Sequence, residues 1–172
     1  MRKIVLGLAV SLDGYIEGPN GEIDWCFTDQ DYGMSSFFER IDTVFTGRRS
    51  YELMLRMGET ATSGFPRMKE FVFSNTLTEI QGDRFLVRGD LAQAVESIRR
   101  EPGKDIWLFG GSSLISSFMN AGYVDEYWLS VHPVILGGGK PLLAAVRDRI
   151  HLRLLEAKSF PSGLVSLKYA PK

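Results

Sequence analysis

Three short stretches of this chain carry residue types that hold phosphate, and each follows an apolar run. Thr46-Gly47-Arg48-Arg49-Ser50 comes after "DTVF" and opens a helical pattern. Ser74-Asn75 closes "EFVF", and Gly110-Gly111, with Ser112 and Ser113 behind them, stand where "DIWLF" hands over to "SLISSFM". The chemistry these residues suit is anion binding. Free amides and the positive end of a helix dipole attract an anion, and a guanidinium grips phosphate through two parallel hydrogen bonds. Taken singly, each stretch has an ordinary structural explanation: a glycine for a tight turn, paired arginines for a solvated helix start, Ser-Asn for turn chemistry. Together in one small chain they point to a bound nucleotide without identifying it.

Other chemistries find less support. No G-x-G-x-x-G follows the first apolar run, so the usual dinucleotide fingerprint is absent. Gly137-Gly138-Gly139-Lys140 has the wrong glycine spacing for a P-loop, and Pro141 stands where a magnesium-binding Ser or Thr belongs. His132 and His151 have no metal-ligand spacing and read as structural, so no metal is assigned. Ser113 lies in no G-x-S-x-G elbow, which argues against a hydrolase.

The elements that must position these residues alternate along the chain. Ile4 to Val10 is continuously apolar or small, as in a strand covered on both faces. "SLDGYIEGPNGEIDW" is a long glycine-rich loop, and a helix is expected from about Asp29 to Arg40, with Phe37, Phe38 and Ile41 on its apolar side. "DTVFTG" is a strand and "RRSYELMLRM" a helix, followed by the strands "KEFVFSN" and "RFLV". Asp90 sits at an N-cap before "LAQAVESIRR", whose two arginines suit the negative end of the dipole. "DIWLF" and a helix ending near Gly122 come next, then a long strand, "VDEYWLSVHPVIL". "HLRLLEAKSF" and "GLVSLKYA", parted by Pro161-Ser162-Gly163, read as a hairpin. The expected fold is α/β in three layers: a mostly parallel central sheet, helices on both faces and a C-terminal antiparallel hairpin. In such sheets ligands sit outside the carboxyl ends of the strands. No repeat, linker or low-complexity segment divides residues 1–172, so a single domain is expected.

Bulk properties set limits on partners. A chain of 172 residues, 44% hydrophobic and 24% charged, has the composition of a globular domain. The formal net charge of -1 leaves no electrostatic footprint for general nucleic-acid or membrane-surface binding. No stretch approaches the ~20 apolar residues of a membrane helix, and the first apolar run is too short for a signal peptide. Cys26 is the only cysteine, which rules out an intrachain disulfide and fits a cytoplasmic location.

The ordered set "SLDGYI", "TGRRSYE", "FSN", "GDLAQAVESI", "WLFGGSSLISSFM" and "VDEYWLSVHPVILGGGKPLL" resembles the dihydrofolate reductase-like superfamily over nearly the whole chain. The nearest likeness is to the reductase domain of bacterial riboflavin biosynthesis and its small stand-alone relatives. The resemblance implies an NADPH-dependent reductase with the cofactor lying across the strand ends. Gly110, Gly111, Ser112, Ser113 and Leu114 would cradle the pyrophosphate. Gly47, Arg48, Arg49 and Ser50, with Ser74 and Asn75, would hold the adenosine 2′-phosphate side, while Leu12, Asp13 and Gly14 would lie near the nicotinamide.

Folate-reducing relatives place one acid on the helix after the first loop. Counting back from Gly47 singles out Asp31 as the catalytic candidate, with Asp29 and Glu39 in the same region. The residues alone allow another reading, in which Asp29 caps that helix and Asp31 faces its dipole. The implied substrate is a small pterin-like or ribosylaminopyrimidine-like heterocycle. The zinc-binding deaminase usually fused to the riboflavin enzyme has no counterpart in these residues. The loop Gly137 to Lys140, if it faces the substrate, would receive an anionic group. The alternative is a module that binds NADPH or another nucleotide without chemistry. A homodimer suits either, with "YWLSV" as a candidate interface strand.

Overall fold

The computed structural model describes residues 1–58 and 64–172. The first strand, β1 (Ile4–Ser11), leads through a short β2 (Tyr15–Glu17) and α1 (Met34–Glu39) to β3 (Ile41–Gly47) and α2 (Arg48–Met57). Then follow β4 (Lys69–Phe73), β5 (Arg84–Val87), α3 (Leu91–Arg100), β6 (Asp105–Gly110), α4 (Ser112–Asn120) and β7 (Glu126–His132). A two-residue β8 (Lys140–Pro141) precedes the closing pair, β9 (Leu152–Ser159) and β10 (Val165–Pro171). Eight strands form one sheet in the order β5-β4-β3-β6-β1-β7-β10-β9, and β2 pairs with β8 in a separate ladder.

Every neighbouring pair from β5 to β7 is parallel, and β10 runs antiparallel to both β7 and β9. The expected mixed sheet with a terminal hairpin is therefore present. β1 lies at the centre between β6 and β7, and Ile4, Val5 and Leu6 are fully buried there, as its unbroken apolar run requires. Alternate residues feed two cores. Phe45 and Leu108 pack with Val95 and Ile98 of α3 and with Ile115 and Phe118 of α4. Val44 and Trp107, their strand neighbours, face the opposite side with Val5, Trp128 and Phe37 of α1.

Local signals act as their chemistry demands in several places. The Asp90 carboxylate accepts the Gln93 amide at 2.7 Å and starts α3. Gly122, at φ 72°, ends α4 and returns its amide to Met119 O. The hairpin turn closes with Phe160 N donating to Leu164 O at 2.9 Å.

Other expectations are corrected. The helix expected over 29–40 is only Met34–Glu39, because Gly33 sits at φ 101° and a left-handed residue cannot continue a helix backwards. The preceding residues turn away, with Tyr32 buried against Phe160 and its hydroxyl on Asp29. The strand expected over 124–136 stops at His132, just before Pro133. "YWLSV" lies within β7, paired on both sides by β1 and β10, so a second subunit would have to meet it through a face of the sheet rather than by strand pairing. The first loop contains β2, which the "GGGKPLL" segment meets through β8.

Candidate functional site

Because the strands are parallel, Gly47, Ser74, Gly110 and Ser11 all arrive at one edge of the sheet. Two helices begin there without side-chain caps: Gly47 precedes α2 and Gly111 precedes α4, each with extended backbone and nothing to offer the first amides. These starts leave several N–H groups without an intrahelical partner. They also adjoin one another. A Cβ placed on Gly47 would stand 3.5 Å from Gly110 O, Gly111 N and Leu114 Cβ. A Cβ on Gly111 would stand 3.1 Å from Ser50 Oγ and 3.9 Å from Lys140 Nζ. Gly110 occupies φ 112°, and the Gly110–Gly111 peptide is cis. The arrangement is an amide-lined cradle whose approach stays open only while position 111 lacks a side chain.

The other residues read from the sequence sit around this cradle in different states. Ser112 is buried and its hydroxyl donates to Pro141 O at 2.7 Å, which leaves only its amide for an anion. Ser113 is exposed at the first turn of α4. Arg48 lies 3.9 Å from Glu52 one turn along α2, a loose surface pair, and Arg49 is exposed. Phe73 pairs with Gly47, so Ser74 and Asn75 follow at the next strand end. Their side chains are occupied: Ser74 Oγ accepts the Leu77 amide of the local turn at 3.0 Å, and Asn75 Oδ1 accepts the Gly89 amide beyond β5 at 2.9 Å.

Leu12 is largely exposed, while Asp13 is fully engaged. The Asp13 carboxylate accepts the Ser11 hydroxyl at 2.7 Å and the Leu136 and Gly137 amides at 3.1 and 2.8 Å. These bonds, the Ser11 hydroxyl first, hold its carboxyl below the usual range. Asp13 and Gly14, the latter at φ 89°, thus shape the turn after β1 and tether the segment behind β7 to it.

Asp31 departs most from the role expected of it. It precedes α1 rather than lying on it, and it is exposed. Its Oδ1 accepts the Gly33 amide at 2.8 Å and the Ser35 amide at 3.3 Å, and the Ser35 hydroxyl and amide lead in pushing its pKa down. That is the environment of an ionised helix cap. A proton donor needs the reverse, a carboxyl whose neutral form is favoured.

Three features sharpen or go beyond the sequence reading. Lys140 joins the cradle from β8 and pairs with Glu17 of β2 at 2.9 Å, a contact between residues 123 positions apart. His132, at the end of β7 beside Ser11, is buried between Trp25 and Phe27. Its Nε2 accepts the Phe27 amide at 3.1 Å while Nδ1 faces Ser130 O at 3.0 Å, so the neutral ring clamps the first loop and burial pushes its pKa down. Finally, a cavity of about 260 Å³ opens between α2 and the sheet, walled by Val44, Thr46, Met54, Trp107 and Phe109. Thr46 Oγ1 and Glu70 Oε1 are buried at its walls without a hydrogen-bond partner, although Glu70 Oε2 is held by Arg84. The sequence named Thr46 with the first anion-binding stretch, and nothing there marked Glu70.

Among the described residues, no group of three or more His, Cys, Asp or Glu could hold a metal ion. None of the described helices is long and apolar enough to cross a membrane.

A parallel sheet with an antiparallel closing hairpin, and with glycines and helix starts gathered at its carboxyl edge, is the framework of dihydrofolate reductase-like proteins. Within that class the RibD C-terminal domain family matches residues 2–166, and the chain belongs to it. A curated relative, "Uncharacterized protein YyaP" of Bacillus subtilis (strain 168), is 43% identical over 177 residues, covering 98% of this chain and 94% of that protein. The crystal structure of a putative riboflavin biosynthesis protein from Shewanella sp. PV-4 superposes with a TM-score of 0.86 at 29% identity, over 100% of this chain and 99% of that one. The diaminohydroxyphosphoribosylaminopyrimidine deaminase/5-amino-6-(5-phosphoribosylamino)uracil reductase of Thermotoga maritima shares the fold, with a TM-score of 0.74 and 18% identity over 99% of this chain and 57% of that one. Family and neighbours are of the riboflavin-pathway reductase type.

Proposed function

We propose that this protein is an NADPH-dependent reductase acting on a small nitrogen heterocycle, pterin-like or ribosylaminopyrimidine-like. The observation that carries the reading is the meeting of two uncapped helix starts at Gly47 and Gly110–Gly111. The residues present fit the cofactor. Amides of Gly111, Ser112, Ser113 and Leu114 suit a pyrophosphate, and the bare Gly111 lets the backbone approach it. Arg48, Arg49 and Ser50, with Ser74 and Asn75 at the neighbouring strand end, suit the 2′-phosphate, since guanidinium groups match a phosphate dianion. Leu12, Asp13 and Gly14 shape the turn at the nicotinamide side, and the His132 clamp holds the first loop over it. When bound, NADPH supplies the hydride.

The chain's own part toward the acceptor falls to the cavity beneath α2. Glu70 Oε1 lacks a donor and Thr46 Oγ1 lacks any partner, so a ring carrying both N–H and C=O groups would satisfy both. Trp107 and Phe109 supply flat apolar walls, and Phe109 adjoins Gly110, which brings the cavity up to the cradle. Asp31 has no place in this proposal as the acid, because its carboxylate is taken by backbone amides.

Titration with NADPH and NADH, followed by tryptophan emission, tests the cofactor. Saturable binding with NADPH the tighter is expected, and no binding of either sinks the reading. Replacing Arg48 and Arg49 by Ala should reduce the preference for NADPH about tenfold. An unchanged preference would assign the 2′-phosphate to other residues. The engagement of Asp31 favours one competing reading, a nucleotide-binding module without chemistry. That reading expects NADPH binding but no oxidation with any pterin or ribosylaminopyrimidine offered. The acting form we propose is a homodimer using a surface other than the β7 edge, and sedimentation velocity decides it.

A further inference from the structure

The ladder between β2 and β8 sets Glu17 opposite Lys140, and their side chains, 24% and 32% exposed, pair at 2.9 Å. The same ammonium group stands 3.9 Å from the Cβ position of Gly111, at the first turn of α4. β8 is held in this place from several sides. Ser112 Oγ donates to Pro141 O, Leu142 N donates to Gly14 O at 2.9 Å, and a Cβ on Gly139 would fall 2.1 Å from Glu17 O. One cation and one carboxylate are thus fixed beside the amides that suit a pyrophosphate.

The two charges act on an incoming anion with opposite sign. Lys140 attracts it, and a charge-assisted bond to phosphate oxygens is stronger than a neutral one. Glu17 repels it, and at half-burial that repulsion is screened less than it is in bulk water. Glu17 also competes for the ammonium that the anion needs. Beside the Gly111 Cβ position the other side-chain donor is the Ser50 hydroxyl, which carries no charge.

We propose that Lys140 is an exchangeable cation, held by Glu17 in the free protein and turned to the diphosphate of the cofactor on binding, and that Glu17 sets a ceiling on cofactor affinity. The inference rests on the cofactor reading above. It gives the pair a signature that a structural staple between β2 and β8 lacks. A staple loses its function whichever partner is removed, so both variants would weaken binding. The exchange demands opposite effects.

The test compares the wild type with Lys140→Met, Lys140→Arg and Glu17→Gln, measuring NADPH dissociation constants by tryptophan emission at low and high salt, with inorganic diphosphate as a competitor. Lys140→Met should weaken NADPH about tenfold, flatten the salt dependence and weaken diphosphate in parallel. Lys140→Arg should restore most of the loss. Glu17→Gln should tighten NADPH about threefold. Thermal melts confirm that each variant is folded, and should Lys140→Met fail to fold, the sign of the Glu17→Gln effect alone decides. Lys140→Met within twofold of wild type, or Glu17→Gln binding more weakly, overturns the exchange while leaving the cofactor reading intact. A wild type that binds no NADPH overturns that reading, and the exchange with it.

Discussion

The two ends of one parallel sheet are built on opposite terms. At the amino end charge is matched. Arg2 is buried with Asp42 and Thr43, Arg40 bridges Asp105 and Glu126, and Arg99 meets Asp125 at 2.9 Å. At the carboxyl end two helices start uncapped and Arg49 faces solvent. The one close ion pair there among the described residues, Lys140 with Glu17, stands at the edge of a glycine cradle rather than in the core. Paired groups hold a structure together, while donors without partners are available to a ligand. The same alternation of strand and helix thus yields a stability end and a binding end, and ligands of parallel sheets gather at the latter.

The sharpest way to break this division is at the cradle. Gly111→Val should cost roughly a hundredfold or more in NADPH affinity, because the backbone can no longer approach the phosphates. Its φ of -80° suits any residue, and the only close neighbour of the new Cβ, the Ser50 hydroxyl at 3.1 Å, can rotate away. The melting temperature should therefore fall far less than the affinity. Affinity and stability lost together would mean that the carboxyl end is structural too. The mirror experiment is Arg40→Met at the amino end, which leaves the carboxylate of Glu126, only 5% exposed, with no cation nearer than Lys3 at 4.0 Å. Urea unfolding should show a loss of about 2 kcal/mol, below the cost of breaking a fully buried pair, with the NADPH affinity of the folded protein unchanged.

Acid sharpens the comparison further. The pKa of His132 is pushed below its ordinary 6.5, chiefly by burial. Its stabilising contribution is therefore complete above that value and is lost as pH falls through the lower, folded-state value. Protonation puts a second donor against the Phe27 amide, so the first loop should detach as a separate step before the sheet unfolds. Tryptophan emission during an acid titration should show this early step, and His132→Asn should remove it. A single transition shared by both ends would contradict the prediction. The smallest effect belongs to Asp31→Asn, which keeps a capping side chain and should barely move the urea midpoint while leaving turnover in place. A turnover loss of a hundredfold would restore Asp31 as an acid.

Much of the frame was legible in the chain because its causes are local. Apolar runs broken by glycine marked β1, β3 and β6, and Asp90 announced α3 by the bond it makes three residues on. The glycine pair and "TGRRS" marked the cradle because bare backbone and helix starts suit anions. Where the chain misled, distant contacts won. Periodicity supported a helix from Asp29, but Tyr32 is drawn to Phe160 and Gly33 turns left-handed, which shortens α1 and turns Asp31 into its cap.

The sequence by itself determined the order of elements, the parallel sheet and the residues that line its carboxyl edge, since periodicity and turn chemistry act over a few residues. Only the tertiary structure decided which of them are free to act. It engaged Asp13, Asp31, Ser74 and Asn75 in hydrogen bonds to backbone amides and left the α2 and α4 amides without caps. It also carried Lys140 to the cradle and clamped the first loop with His132. Hydrogen-bond partners and ion pairs are set by proximity in space, and residues 123 positions apart in the chain meet only once the sheet has formed.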